Sequence, residues 1–137
     1  MAEMGWAGVL IDEAYGGLDF GHVGMGQVME ENGRTLTASP LLSTAILGAS
    51  AISLGGNDAQ KSELLPAIAE GKLVTALAVD GGSRHKPNST GVTAEKSGDG
   101  YSLSGEKQFV VDGHVADKII VSARTAGDEG GGRWGNR

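Results

Sequence analysis

Three consecutive basic residues, Arg84, His85 and Lys86, follow a glycine-rich turn and form the only local group of basic side chains in the sequence. Phosphate groups bind well to such cationic donors and to the backbone N–H groups of a glycine-rich turn. A solvated loop with no ligand would have the same composition, so both interpretations stay open. The residues alone favour the solvated loop, and phosphate binding is the chemistry that they would permit.

Other kinds of catalytic chemistry have little support in the sequence. The chain has no cysteine, which excludes disulfides, thiolate catalysis and cysteine-ligated metals. His22 and His114 have no Asp or Ser at the spacing of a hydrolase triad. Glu95 and Glu106 have no feature that marks either as a general base. We therefore expect no catalytic residue and no metal site within this chain.

The composition also limits the partners and the location. A net charge of -6 with scattered basic residues argues against nucleic-acid binding. The stretch 35–57 is uncharged, but Pro40 and seven Ser or Thr residues favour a buried helix over a membrane span. The N-terminus lacks the basic region of a secretory signal, and the absence of cysteine fits a reducing compartment. We therefore expect a cytoplasmic location.

Apolar residues recur at helical spacing up to about residue 72. The pattern predicts helices over residues 21–32 and 41–54, and a third that begins at residue 57 or 58. Gln60 follows Asn57 at the spacing of a capping box. Pro66 cannot donate a backbone hydrogen bond, so we expect the third helix to stop or kink near Leu65.

Apolar residues alternate with a period of two after residue 72, which is typical of strands. Four strands are predicted, over residues 73–79, 91–96, 101–111 and 117–125. The run Ser97-Gly98-Asp99-Gly100 joins the second and third strands as a hairpin, and Asp112-Gly113 turns the chain after the third.

The fold predicted from these elements is α+β, an N-terminal helical array followed by an antiparallel β-meander. The meander would have open edges, as in an incomplete β-barrel or sandwich. We expect a partial all-helical domain over 1–72, a partial middle β-domain over 73–126 and a disordered tail over 127–137.

Four segments in this order carry a resemblance to a known family: "EMGWAGVLIDEAYGG" (3–17), "EENGR" (30–34), "GGNDAQKSELLPAIAEGKLVTALAV" (55–79) and "GYSLSGEKQFVVDGHVADKIIVSART" (100–125). Together they resemble acyl-CoA dehydrogenases, flavoprotein oxidoreductases of fatty acid metabolism that dehydrogenate the α,β bond of acyl-CoA thioesters. The family places a helical domain, a β-domain and a C-terminal helical bundle around FAD. The resemblance implies that this chain is a fragment, inactive alone, because that bundle supplies the catalytic glutamate.

The resemblance assigns one flavin-binding segment to "QFVVDG". Phe109 would take the position of an aromatic residue along the isoalloxazine ring, and Val110 the next position. Val111 would replace a threonine near the reactive nitrogen of the flavin, and it lacks the hydroxyl of that threonine. On residue type alone, Phe109 would equally suit the core of a β-sheet.

A second flavin-binding segment is assigned to "LAVDGGSRHKP". It consists of a strand, Leu77, Ala78 and Val79, followed by Asp80 at a threonine position, with Ser83 as the nearest hydroxyl. A carboxylate beside the electron-rich ring would disfavour the reduced, anionic flavin. The basic residues after Ser83 could neutralise phosphates of FAD or CoA.

Residues near the acyl chain are assigned in the same way. They are Tyr15, Gly16, Leu41 and Leu42, although the two leucines would equally suit a helical core. The resemblance further implies an acyl-CoA substrate, an acceptor of the electron-transfer flavoprotein type and a homo-oligomer. Two alternatives stay open, a non-catalytic flavin- or CoA-binding relative and a stand-alone α+β interaction module.

Overall fold

The computed structural model describes residues 2–87 and 89–127, so the predicted disordered tail, apart from its first residue, lies outside the described residues. The helices precede the strands, which confirms the α+β class. The helical elements are α1 (Gly21–Thr35), a π-helix (Leu41–Gly48), α2 (Ala49–Gly55) and α3 (Asp58–Ala69), after short 3-10 turns near the N-terminus. The strands are β1 (Thr75–Ala78), β2 (Thr93–Ser97), β3 (Gly100–Ser104) and β4 (Lys118–Val121).

The chain divides into two compact units. The helical unit holds the chain up to Leu77 together with Val111–Ile120, and the β-unit holds Ala78–Val110 and the chain from Val121 onward. The predicted domain boundary near residue 72 stays a prediction. Among the described residues, no helix has both the length and the apolar character needed to cross a membrane.

The helix boundaries differ in part from those predicted. Helix α1 continues past residue 32 to Thr35, and its C-cap residue Leu36 has a left-handed backbone with φ 46°. The capping box of α3 is confirmed, since Asn57 Oδ1 accepts from the Gln60 N–H at 2.9 Å and Gln60 Oε1 accepts from the Asn57 N–H at 3.0 Å. The third helix does not stop at Pro66 but runs on to Ala69. Burial of the flanking Leu65 and Ile68 outweighs the one backbone hydrogen bond that proline removes.

Two clusters of buried apolar side chains form the core of the helical unit. One consists of Ile11, Ala49, Ile52, Leu65 and Ile68, and the other of Val9, Met25, Leu41 and Ala45. Both draw on the predicted second helix, whose first half is π-helical and whose second half is α2. In the π-helix, Thr44 Oγ1 accepts from the Thr75 N–H at 3.0 Å and lies 3.1 Å from the Thr75 carbonyl oxygen, so this buried hydroxyl ties the helix to β1.

The strands pair as two two-stranded sheets within the described residues. Strands β2 and β3 form the predicted antiparallel hairpin, with Thr93 opposite Ser104 and Ser97 opposite Gly100. Strand β1 pairs with β4 and not with its neighbour in sequence, so the strands do not form one continuous meander. Arg124, shortly after β4, forms an isolated parallel bridge with Thr93 of β2.

The third predicted strand, 101–111, ends early, at Ser104. Gly105 has φ 140°, and a Cβ atom there would lie 2.9 Å from the Cα of Val92, so the chain passes Val92 too closely for any other residue. Phe109 and Asp112 have φ values of 54° and 56°, which no strand accommodates. Residues 105–110 are therefore irregular and residue 111 begins a turn, so the prediction of a strand through Val111 is wrong.

The side chain of Lys107 holds three segments of the β-unit together. Its Nζ donates to the Val79 carbonyl oxygen at 2.6 Å, to Thr90 Oγ1 at 2.7 Å and to Ser122 Oγ at 2.8 Å. All three ammonium protons thus have acceptors. Burial lowers the pKa of the Lys107 ammonium, and the carboxylate of Asp80 acts in the opposite direction.

Substitution of Gly48 by alanine should destabilise the helical unit. A methyl group at Gly48 would lie 1.9 Å from Thr75 Oγ1, whose side chain is itself fully buried. Overpacking of this kind costs about 1–3 kcal/mol in free energy of unfolding, to be measured by urea denaturation. In the matched control, Gly26→Ala in α1, the added methyl meets nothing within 4 Å and should stabilise the chain by about 1 kcal/mol. Equal stability of Gly48→Ala and wild type would contradict the close packing.

Substitution of Lys107 by methionine should destabilise the β-unit by about 2 kcal/mol, because hydrogen bonds to a charged donor are lost and its partly buried acceptors lose that donor. The control is Lys118→Met, whose exposed pair with Glu63 at 3.3 Å should contribute less than about 1 kcal/mol. Amide hydrogen exchange in the β2–β3 hairpin reports the stability of the β-unit directly. Equal protection of those amides in the two variants would show that the three-way contact of Lys107 contributes little.

Candidate functional site

The turn that follows β1 is closed by the carboxylate of Asp80. His85 Nδ1 lies 2.9 Å and 3.1 Å from the two carboxylate oxygens, and the Lys86 N–H donates to Oδ1 at 3.3 Å. The hydrogen bond with His85 is the largest of the effects that hold the pKa of the Asp80 carboxyl below its ordinary value. Asp80 therefore stays ionised at neutral pH and fixes the path of residues 80–86.

A polar cavity of about 280 Å³ lies against this turn. Its lining consists of Gly81, Gly82, Ser83, Arg84, Lys86, Ser89 and Gly91. Glycine backbone, two hydroxyl groups and two cationic side chains are the groups that bind phosphate. Arg84 and Lys86 are also exposed, so they retain the character of a solvated loop.

Phe109 lies next to the same turn. The Gln108 N–H donates to the Asp80 carbonyl oxygen at 2.8 Å, which joins the two segments that the resemblance assigns to the flavin. The Phe109 side chain is 75% exposed, so the interpretation of Phe109 as a core residue is wrong. Its left-handed backbone, with φ 54°, is uncommon for an aromatic residue. Val110, the next residue, is half-buried.

The strand residues before Asp80 are less available to a ligand. Ala78 is 2% exposed and Leu77 is half-buried in β1. The Ala78 carbonyl oxygen accepts from the Ser122 N–H at 3.0 Å, and the Val79 carbonyl oxygen accepts from Lys107 Nζ at 2.6 Å. These carbonyl groups are thus occupied by hydrogen bonds within the protein. Of the residues assigned in this segment, the exposed Ser83 is the one that lines the cavity.

Val111 belongs to the helical unit and opens the turn over residues 111–115. Its side chain is 47% exposed, and the next residue, Asp112, has a left-handed backbone with φ 56°. Asp112 accepts a hydrogen bond from Ser43 Oγ at 2.7 Å. Ser43, Asp112 and Lys107 were all missed by sequence reasoning, because their partners are distant in sequence. The Asp-Gly turn signal at 112–113 was the only local clue.

The residues assigned to the acyl chain do not come together. Leu41 lines a largely apolar cavity of about 160 Å³ in the helical unit, and it is also a core residue, 6% exposed. Leu42 is 41% exposed and does not line that cavity. Tyr15 packs against the core cluster around Ile11, and Gly16 is exposed with φ 79°. Of the four, only Leu41 has the surroundings of an apolar binding site.

The carboxylates and histidines considered from the sequence are all exposed: Glu95, Glu106, His22 and His114. Over residues 2–87 and 89–127, no group of three or more His, Cys, Asp or Glu side chains could hold a metal ion. The described residues thus bring a polar cavity lined by Arg84 and Lys86 to the turn after β1, and the exposed Phe109 to a segment that is hydrogen-bonded to that turn.

Comparisons with known proteins give the family of the chain. Residues 1–72 match the family model of the acyl-CoA dehydrogenase N-terminal domain. Cyclohex-1-ene-1-carbonyl-CoA dehydrogenase of Geobacter metallireducens is 35% identical over 134 residues, which are 94% of this chain and 35% of that protein.

Solved structures agree with this match. Butyryl-CoA dehydrogenase from Megasphaera elsdenii is 29% identical with a TM-score of 0.76, over 92% of this chain and 35% of that one. An FAD-dependent dehydrogenase is 30% identical with a TM-score of 0.79, over 91% of this chain and 36% of that one. The chain thus spans about a third of the length of the relatives that it matches. From the match over more than half of its residues, the chain belongs to the acyl-CoA dehydrogenase family.

Proposed function

We propose that this chain supplies part of the flavin and acyl-CoA site of an FAD-dependent acyl-CoA dehydrogenase, which oxidises the α,β bond of an acyl-CoA thioester. One observation carries the proposal: the exposed ring of Phe109 lies on a segment that is hydrogen-bonded to the Asp80 turn, beside a cavity lined by Arg84 and Lys86. An exposed aromatic ring on a segment that is hydrogen-bonded to a turn with a cationic, glycine-rich cavity fits a planar ligand that carries phosphate groups.

The described residues fit FAD by their chemistry. The Phe109 ring offers a flat apolar surface for the isoalloxazine ring, since such contacts combine buried area with aromatic stacking. Backbone N–H groups of Gly81–Ser83 can donate to a phosphate or to the polar edge of the flavin. Arg84 and Lys86 can neutralise phosphates of FAD or CoA. FAD, when bound, supplies the acceptor for the hydride that leaves the β carbon.

The base that removes the α proton is proposed to come from outside these residues. A base must lie within hydrogen-bond reach of its proton, and no carboxylate of this chain corresponds to the glutamate of the family. The chain alone should therefore be inactive. Its proposed role is to bind and orient the flavin and to line the acyl-CoA site, with Leu41 as the residue whose apolar cavity supports such a role.

The substrate class follows from the relatives. Those named for their substrates act on cyclohex-1-ene-1-carbonyl-CoA and butyryl-CoA, and the two share the acyl-CoA thioester. We extend an acyl-CoA substrate to this chain on that basis, together with an acceptor of the electron-transfer flavoprotein type and a homo-oligomeric assembly. A solved structure described as the electron transferring flavoprotein of Acidaminococcus fermentans, which is 32% identical with a TM-score of 0.80, supports the acceptor, and the resemblance alone supports the homo-oligomeric assembly.

A second candidate function is a flavin- or CoA-binding relative without catalysis. Two residues favour it, because Asp80 and Val111 stand where the family has threonine. Val111 keeps the shape of threonine but cannot donate a hydrogen bond, a loss of about 0.5–1.5 kcal/mol that affects orientation more than binding.

Phe109→Ala should weaken FAD binding to the full chain about 10-fold, which corresponds to about 1.4 kcal/mol of lost ring contact. Residue-resolved NMR titration with FAD measures even weak binding and should show shifted amides at 80–83 and 109–111. Tyr101→Ala is the matched control, because Tyr101 is also an exposed aromatic of the β-unit, at 62%, but lies on β3. Equal losses in both variants, or FAD-induced shifts elsewhere only, would count against a flavin surface at Phe109.

Residues 1–126 grafted in place of the matching third of Megasphaera elsdenii butyryl-CoA dehydrogenase should give a yellow protein that is bleached by butyryl-CoA. The 137-residue chain with FAD alone should not be bleached, since it lacks the base. The parent enzyme is the control. Bleaching by the chain alone would overturn the assignment of the base to other residues. A folded, yellow chimera that butyryl-CoA does not bleach would instead establish the non-catalytic relative.

A further inference from the structure

The largely apolar cavity of about 160 Å³ lies wholly within the helical unit, beside the first turn of the π-helix. Some of its lining residues are buried, among them Leu41, Ala45 and Ile68. Other lining residues are half-buried or exposed, among them Ala7, Ser39 and Gly71. The cavity thus has a buried inner part and an outer part that reaches the surface, so it can admit one end of a larger molecule.

Polar groups in the wall of this cavity already have partners within the protein. Thr44 Oγ1 accepts from the Thr75 N–H at 3.0 Å and donates to the Thr75 carbonyl oxygen at 3.1 Å. The Val74 N–H donates to Asp117 Oδ2 at 2.8 Å, and the Val74 carbonyl oxygen accepts from the Asp117 N–H at 2.9 Å. Water is held in a cavity by hydrogen bonds to several polar partners. Because these groups are occupied, an apolar group should displace water from the cavity readily.

The volume of the cavity sets the size of the group that it can hold. An apolar cavity of about 150 Å³ in a protein core is known to bind benzene. A cavity of about 160 Å³ therefore accommodates an apolar group of about six carbon atoms. Any further carbons of a longer chain would stay in water, where they add little to the affinity.

We propose that this cavity binds the apolar end of the acyl group and limits it to about six carbon atoms, in a short chain or in a single ring. The inference rests on the proposed function for the identity of the ligand, whereas the size limit follows from the cavity itself. Leu41 is the residue assigned to the acyl chain that lines it, and the other lining residues were not predicted from the sequence.

The size limit is tested by titration of the full chain with carboxylates, followed at the amides of Leu41, Ala45 and Ile68 by NMR. Pentanoate, heptanoate and nonanoate differ by successive pairs of CH2 groups. Heptanoate should bind about 15-fold more tightly than pentanoate, since each buried CH2 group contributes about 4-fold. Nonanoate should gain no more than about 2-fold over heptanoate, because its chain exceeds the cavity. Cyclohexanecarboxylate should bind as tightly as heptanoate, since its ring has as many carbons as that chain.

The location of the site is tested by variants that fill the cavity. Ala7→Leu adds a larger apolar side chain at a half-buried lining position and should remove the heptanoate-induced shifts. Ser39→Leu should do the same from a second lining position, and it replaces Ala7→Leu if that variant does not fold. Ala51→Leu is the matched control, because the half-buried Ala51 lines a different cavity of the helical unit, beside Leu64 and Ile120. This control should keep the wild-type affinity for heptanoate.

Each part of the proposal has a result that would overturn it. If no carboxylate shifts the cavity amides, the cavity is not a binding site. An affinity that keeps rising about 4-fold per CH2 group through nonanoate would disprove the size limit. Wild-type affinity in both filling variants would place the binding elsewhere.

FAD titration of the wild-type chain tests the proposed function separately, since FAD-induced shifts are expected at residues 80–83 of the β-unit. Binding of heptanoate without binding of FAD would support the cavity as an apolar site of this size and remove its assignment to acyl-CoA. Binding of FAD without binding of any carboxylate would leave the proposed function in place and overturn the present inference.

Discussion

The geometry of the β-unit depends on one ammonium group. Lys107 Nζ binds three acceptors that belong to three separate segments, at Val79, Thr90 and Ser122. Lys107 and its three acceptors are partly buried, so these hydrogen bonds offset the cost of removing polar groups from water and favour this arrangement of the segments. Because Lys107 lies two residues before Phe109 and its acceptor Val79 directly precedes Asp80, the same contact brings the two candidate flavin segments to one place.

In the helical unit, neutral hydroxyl groups connect separate segments of the chain. Ser43 and Thr44 are buried among apolar side chains, and each has found a partner in another segment, which removes the cost of burying a polar group. Gly48 is on the same helix, and its lack of a side chain leaves space for the buried side chain of Thr75 in β1. The π-helical turn is consistent with these contacts, because two adjacent residues of one helix must direct their hydroxyl groups to different partners.

Local signals in the sequence predicted local structure well. The capping box at Asn57, the β2–β3 hairpin and the α+β class are confirmed, since each depends on residues close in sequence. The pairing of β1 with β4 and the left-handed backbone of Phe109 were not predictable, because they are set by distant contacts. Alternation of apolar residues through Val111 suggested a strand, but the close passage of Gly105 past Val92 ends it.

The contacts of Asp80, which stands where the family has threonine, change how its charge is interpreted. From the sequence, its carboxylate is an unfavourable negative charge beside a flavin. In the structure, the carboxylate is bonded to His85 and to the Lys86 N–H, and it lies close enough to Lys107 to be stabilised by its charge. The carboxylate of Asp80 therefore holds the loop whose residues Arg84 and Lys86 line the cavity.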